Sequence, residues 1–128
     1  MSDTLTRGIR IIVKPRYVAE QSDPASSQYL FAYHITIRNE SAQTVQLLSR
    51  HWVITNGEGQ SEEVRGPGVV GYQPVLAPGE EFQYTSGCPL STPVGTMHGE
   101  FNMIVSESSE AFEARIDPFR LAVPYALN

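Results

Sequence analysis

The stretch Gly66-Pro67-Gly68-Val69-Val70-Gly71 has the spacing Gly-x-Gly-x-x-Gly, which lets a backbone approach a pyrophosphate closely. In dinucleotide sites those glycines lie between a strand and a helix whose N-terminal amides and dipole face the anion. Here Pro74 and Pro78 follow too soon for a helix. What remains is a concave nest of amides around Gly66, Gly68 and Gly71, able to hold a small anion or nucleotide phosphate without a helix. The plainer reading is a tight loop. That same loop offers Val69, Val70 and Tyr72 as apolar contacts for a partner, unless the two valines form a short strand packed inward.

His34, His51, His98 and Cys88 are the residues able to bind a transition metal. None forms a short-range pair such as His-x-His or Cys-x-x-Cys, so a site would need three separate strands to converge, and no metal ligand is assigned. Glu62-Glu63 and Glu80-Glu81 place successive carboxylates on opposite strand faces and read as solvated turn charges. Ser49 and His51 share a strand face, but no Gly-x-Ser-x-Gly elbow accompanies them. Cys88 has a loop address, with no adjacent base to lower its thiol pKa. Trp52 reads as a core aromatic. No catalytic residue is assigned and no cofactor is required, so the expectation is a non-enzymatic protein.

The elements that position these residues are strands, because the hydrophobic period is two almost throughout. Ile9, Ile11, Val13 and Tyr17 share one parity, and Arg10, Lys14 and Arg16 the other, as if to guard a sheet edge or meet an acidic partner. Tyr29, Phe31, Tyr33, Ile35 and Ile37 alternate with polar or small residues and mark a central strand. Thr44 to Thr55 is apolar on both faces. Asn56-Gly57-Glu58-Gly59 turns it back as a hairpin through Glu62 to Arg65. Leu76-Ala77-Pro78-Gly79-Glu80 is a second turn, leading into a strand from Glu81 to Ser86. Met97, Gly99, Phe101, Met103 and Val105 line another strand, and Phe112, Ala114 and Ile116 begin the last.

The fold class is therefore all-β: an immunoglobulin or fibronectin type III-like antiparallel sandwich of about seven strands, with a small barrel as the alternative. The 128 residues make one domain. Its core is expected over about 8–123, with weak order at Met1 to Arg7, Glu20 to Ser27 and beyond Pro124.

Between Arg65 and Phe101 fall seven of the ten glycines and five of the nine prolines, interleaved with apolar residues. This block, GPGVVGYQPVLAPGEEFQYTSGCPLSTPVGTMHGEF, resembles the signature of the ApaG family, and YHITIRNES and LLSRHWVITNGEG are similar to its earlier strands. The resemblance covers nearly the whole chain. It implies a fibronectin type III-like sandwich and, for bacterial members, a link to cobalt tolerance and magnesium efflux. It also implies use as a protein-binding module, since eukaryotic members join the domain to an F-box or to polymerase-interacting segments. It carries no catalytic residues.

A net charge of −5 with a single lysine, Lys14, offers no footprint for nucleic acid. One cysteine excludes an internal disulfide, and the N-terminal residues lack a signal peptide's apolar run, so a cytoplasmic location is expected. No apolar run approaches the ~20 residues that cross a bilayer. Three functions compete: a module binding an unidentified protein partner, a small-anion binder at Gly66 to Gly71, and a direct divalent-metal binder. The first is favoured, with any effect on cation homeostasis indirect.

Overall fold

The computed structural model describes residues 1–125. Nine strands follow in order: β1 (Ser2–Thr6), β2 (Ile9–Tyr17), β3 (Tyr29–Asn39), β4 (Val45–Asn56), β5 (Ser61–Pro67), β6 (Val75–Leu76), β7 (Glu81–Leu90), β8 (Val94–Val105) and β9 (Ala111–Ala122). Two 3-10 turns, Ala19–Gln21 and Pro24–Ser26, join β2 to β3. Among the described residues there is no α-helix, and no helix is long and apolar enough to cross a membrane.

All pairings are antiparallel. One sheet has the order β1-β2-β3-β7 and the other β5-β4-β8-β9, with β6 continuing beside β4. The expected sandwich class is what forms, with nine strands in place of about seven. The two additional strands are β1 and β6, both short and without the apolar alternation that reveals the others. The expected flexible start at Met1 to Arg7 is corrected: Ser2–Thr6 pairs with β2 from Ser2↔Val13 to Thr6↔Ile9. The expected weak tail beyond Pro124 falls largely on residues 126–128, outside the described residues.

The inward faces of both sheets meet in one core. Ile9, Ile11, Val13, Phe31, Ile35 and Ile37 face Leu47, Met97, Phe101, Met103, Ile116 and Leu121. Trp52 lies at its centre, 2% exposed, with its ring edge-on to Tyr33 (5.5 Å), Phe101 (6.3 Å) and Phe119 (5.9 Å). Such tilted aromatic pairs add about 0.5–1.5 kcal/mol each beyond area burial.

A β-bulge between Leu47 and Ser49 reverses the parity of β4. Val45 and Leu47 face inward before it; Arg50, Trp52 and Ile54 do so after it, which is why this strand looked apolar on both faces. A second irregularity, between Met97 and Gly99 of β8 opposite Asp117 and Pro118 of β9, keeps Ile116 and Phe119 both inward. Pro118 sits where a strand tolerates proline.

The two flanks of the sandwich differ. On one, β1 lies against β9, and the amides of Arg115 and Asp117 donate to Thr6 Oγ1 (3.2 Å) and Thr4 Oγ1 (3.0 Å). Side chains thus close this flank without a ladder, so the structure stays a sandwich and does not become a barrel. On the other, β5 and β7 are both edges, and the sheets part between them.

Candidate functional site

The open flank collects most of the groups singled out in the sequence. At one end is the glycine loop. Val69 and Tyr72 exchange both backbone hydrogen bonds (2.8 Å each), closing a two-residue hairpin with Val70 and Gly71 at its tip. Both tip residues have positive φ, +42° and +87°, the signature of a type I′ turn. Gly68, at φ +60°, lies so close to the Tyr72 carbonyl that a Cβ would collide with it.

Part of the loop's set of amides is already committed. Pro67 has no N–H, Gly68 donates to the Leu48 carbonyl (2.8 Å) and Val69 to Tyr72. Gly66, Gly68 and Gly71 serve a strand end, a close approach and a turn. The three apolar candidates separate as well: Val69 is fully buried, whereas Val70 (50% exposed) and Tyr72 (62%) face solvent. Val75 (55%) on β6 extends their patch, and Tyr72 leans on Phe82 of β7 at 5.8 Å.

Beneath the hairpin, Arg50 projects inward because of the bulge in β4. Its Nη1 donates to the carbonyls of Pro67 (2.9 Å) and Gly68 (3.0 Å). It shares a cavity of about 270 Å³ with Tyr33, Trp52, Val64, Ser86 and Cys88, and Glu62 stands on the same lining. Cys88 is corrected from a loop to an inward position on β7; burial, reinforced by the Glu62 charge, pushes its thiol up to about 11. Burial likewise raises the phenols of Tyr33 and Tyr84, with Ser86 and then Arg50 pulling Tyr33 back and Arg50 pulling Tyr84 back. Neither Arg50 nor Tyr84 stood out in the sequence, since an inward arginine is invisible until the bulge is known.

The histidines do not converge. His34 Nδ1 and Nε2 lie at hydrogen-bond distance from Thr85 Oγ1 (2.8 Å) and Gln83 Oε1 (3.0 Å). His51, on the outer face of the second sheet, lies between Glu100 (Nδ1 to both oxygens, 2.9 Å) and Glu63 (Nε2 to Oε1, 2.7 Å). Ionised carboxylates only accept, so this bracket favours the imidazolium, which donates from both ring nitrogens. Hydrogen bonding to Glu100 and then Glu63 raises the His51 pKa, and the same bond to His51 lowers that of Glu63. Glu63 is thus corrected from a solvated turn charge to an ion-pair partner on β5. Glu81 pairs with Arg38 (3.3 Å) and Glu80 accepts from the Ala77 amide (2.7 Å), so these two are also engaged.

Ser49 accepts from Asn102 Nδ2 (2.9 Å), while the nitrogens of His51 are held by the two glutamates. Among the described residues no three His, Cys, Asp or Glu side chains form a group that could hold a metal ion. A wider hollow of about 360 Å³ surrounds His51, His98, Glu113 and Arg115 on the outer face. His51 there is already neutralised by its own neighbours. Arg10, read as an edge guard, is on β2 inside β1 and pairs with Asp3 (3.0 Å) and Glu40 (2.8 Å).

The family model of the ApaG domain matches residues 19–105. The chain belongs to the ApaG family. It is 53% identical over 125 residues to Protein ApaG of Rhodospirillum centenum, covering 98% of this chain and 95% of that one. To Protein ApaG of Methylobacterium nodulans it is 57% identical over 120 residues, covering 94% and 92%. The crystal structure of an ApaA protein from Bordetella pertussis superposes with a TM-score of 0.90 at 51% identity, covering 96% of this chain and 99% of that one. The ApaG span takes in β3 to β8 and so both walls of the open flank. The β1 and β9 strands that close the opposite flank lie outside it.

Proposed function

We propose that the chain is a non-enzymatic interaction module that docks a protein partner on its open flank, with Val70, Tyr72 and Val75 as the apolar contacts. Val70 carries this reading. It is a β-branched residue held at φ +42° on an exposed hairpin tip. Asparagine or glycine adopts that conformation readily, while for an ordinary L-residue it costs roughly 1–2 kcal/mol. Strain kept at an exposed apolar residue points to a contact made by that side chain rather than to stability. Tyr72 beside it supplies the kind of amphipathic ring that anchors interfaces.

On this reading, the cobalt and magnesium phenotypes implied by the resemblance are exerted through the partner, with no metal bound by the domain. The test is affinity capture at physiological salt, comparing the native chain with a V70N/Y72S double variant. A partner enriched by the native chain and lost with the variant supports the reading. A partner set unchanged by the double variant would sink it.

A further inference from the structure

Arg50 is a cation on the inward face of a sandwich, and among the described residues no carboxylate lies within ion-pair distance of it. Its Nη1 is spent on two carbonyls, which leaves Nε and Nη2, the fork that grips a carboxylate through two parallel hydrogen bonds, without an acceptor among the described residues. Two groups nearby are buried without a partner. Trp52, on the same lining as Arg50, has a buried indole N–H with no acceptor, and Tyr84 has a buried hydroxyl with no partner. Buried polar atoms are paired in the great majority of cases, which makes the unpaired Trp52 N–H on this lining an exception.

We propose that the gap between β5 and β7 binds a small monocarboxylate with a flat apolar body. The carboxylate sits on Nε and Nη2 of Arg50, and the body lies against Tyr33, Trp52 and Val64. Several features favour this class over a phosphate. There is one cation and not a cluster, and Glu62 on the lining disfavours a dianion more than a monoanion. Tyr33, Trp52, Ile54, Val64 and Met97 give the mixed lining an apolar part beside its polar groups, as a ligand with an apolar body and one polar end requires. A volume of about 270 Å³ takes about nine heavy atoms at roughly 30 Å³ each. A free small acid and a peptide chain terminus ending in an aromatic residue present the same chemistry. The site does not depend on the hairpin patch being a docking surface.

Trp52 is the chain's only tryptophan and lies on this lining, so tryptophan emission comes from a single site that touches the cavity. Phenylacetate, phenylacetamide and acetyl-Ala-Ala-Phe with a free carboxyl end are titrated to about 10 mM, a range that reaches weak binding. Phenylacetate or the peptide is expected to change the emission saturably, with the amide at least tenfold weaker. A peptide tenfold tighter than phenylacetate identifies a chain terminus as the source, and the reverse order identifies a free acid. No response to either acid, or equal response to acid and amide, overturns the proposal. E62Q removes a like charge from the exposed rim and is expected to tighten phenylacetate roughly two- to fivefold. R50Q is expected to weaken it at least tenfold, and an R50Q protein that folds and binds as before refutes the site. Should R50Q not fold, because Arg50 also holds Pro67 and Gly68, unchanged affinity in E62Q refutes it instead.

Discussion

Replacing Val70 by asparagine should stabilise the protein relative to replacing it by alanine. Both changes remove the same exposed methyl groups, so their difference reports the left-handed preference that the asparagine carboxamide confers. Alanine at φ +42° keeps the left-handed penalty of roughly 1–2 kcal/mol, and asparagine relieves much of it. The expected gap is about 1 kcal/mol in favour of V70N, a sizeable share of the 5–15 kcal/mol typical of a domain. In a chain of 128 residues this amounts to about 3–5 °C in Tm. Urea unfolding with a common m-value gives the free-energy difference, and a thermal scan gives the second reading. If V70N proves no more stable than V70A, the tip is not strained, and the inference from strain to contact fails with it. If V70N is the more stable and still loses the captured partner, stability and binding have been separated at one residue.

Stability should fall as pH rises through neutrality because of His51. Its folded pKa lies above its unfolded value of about 6.5, so its contribution is complete below that value and is lost as pH rises through the folded pKa. The folded pKa of Glu63 is lowered, so its contribution is present above its ordinary pKa and lost as pH falls through the folded one. H51Q should flatten the alkaline decline in urea midpoints between pH 5.5 and 8.5, and a decline of unchanged slope would assign it to other groups. T4V keeps the shape of the threonine but leaves the Asp117 amide without its acceptor, at an expected cost of about 1–3 kcal/mol in urea unfolding. A neutral result would mean that β1 does not close the flank. G68A should cost more than about 2 kcal/mol, since left-handed backbone and the Tyr72 carbonyl both oppose a Cβ, while G71A, whose Cβ meets open space, should cost about 1. Equal losses for the two would remove the close approach as the reason for Gly68.

Much of the fold was legible because alternation is a direct record of which face is buried. Tyr29 to Asn39 and Met97 to Val105 show it without interruption, and β3 and β8 are as expected in type and facing. The turns at Asn56–Gly59 and Pro78–Gly79 carry their own chemistry. Legibility failed where a single residue shifts parity. The bulge at Leu48 leaves no compositional mark, yet it turns Arg50 inward and His51 outward, and so creates both the cavity's cation and the glutamate-bracketed histidine. Ser2–Thr6 went unseen because its inward residues, Ser2 and Thr4, are polar and gain their place by capping or packing beside β9, not by hydrophobic burial. Gly-x-Gly-x-x-Gly was legible as a turn. Its alternative use depended on where each amide points, which spacing alone does not encode.

The claim that the β5–β7 flank is the working face is tested most directly by site-specific photocrosslinking in cells. One chain carries a benzoylphenylalanine in place of Tyr72 on the open flank, and a second carries it in place of Leu5, another exposed apolar residue, on β1 of the closed flank. A discrete crosslinked product from the Tyr72 position, absent from the Leu5 position, is the expected result. The same products from both positions, or a product from the Leu5 position alone, would contradict the account.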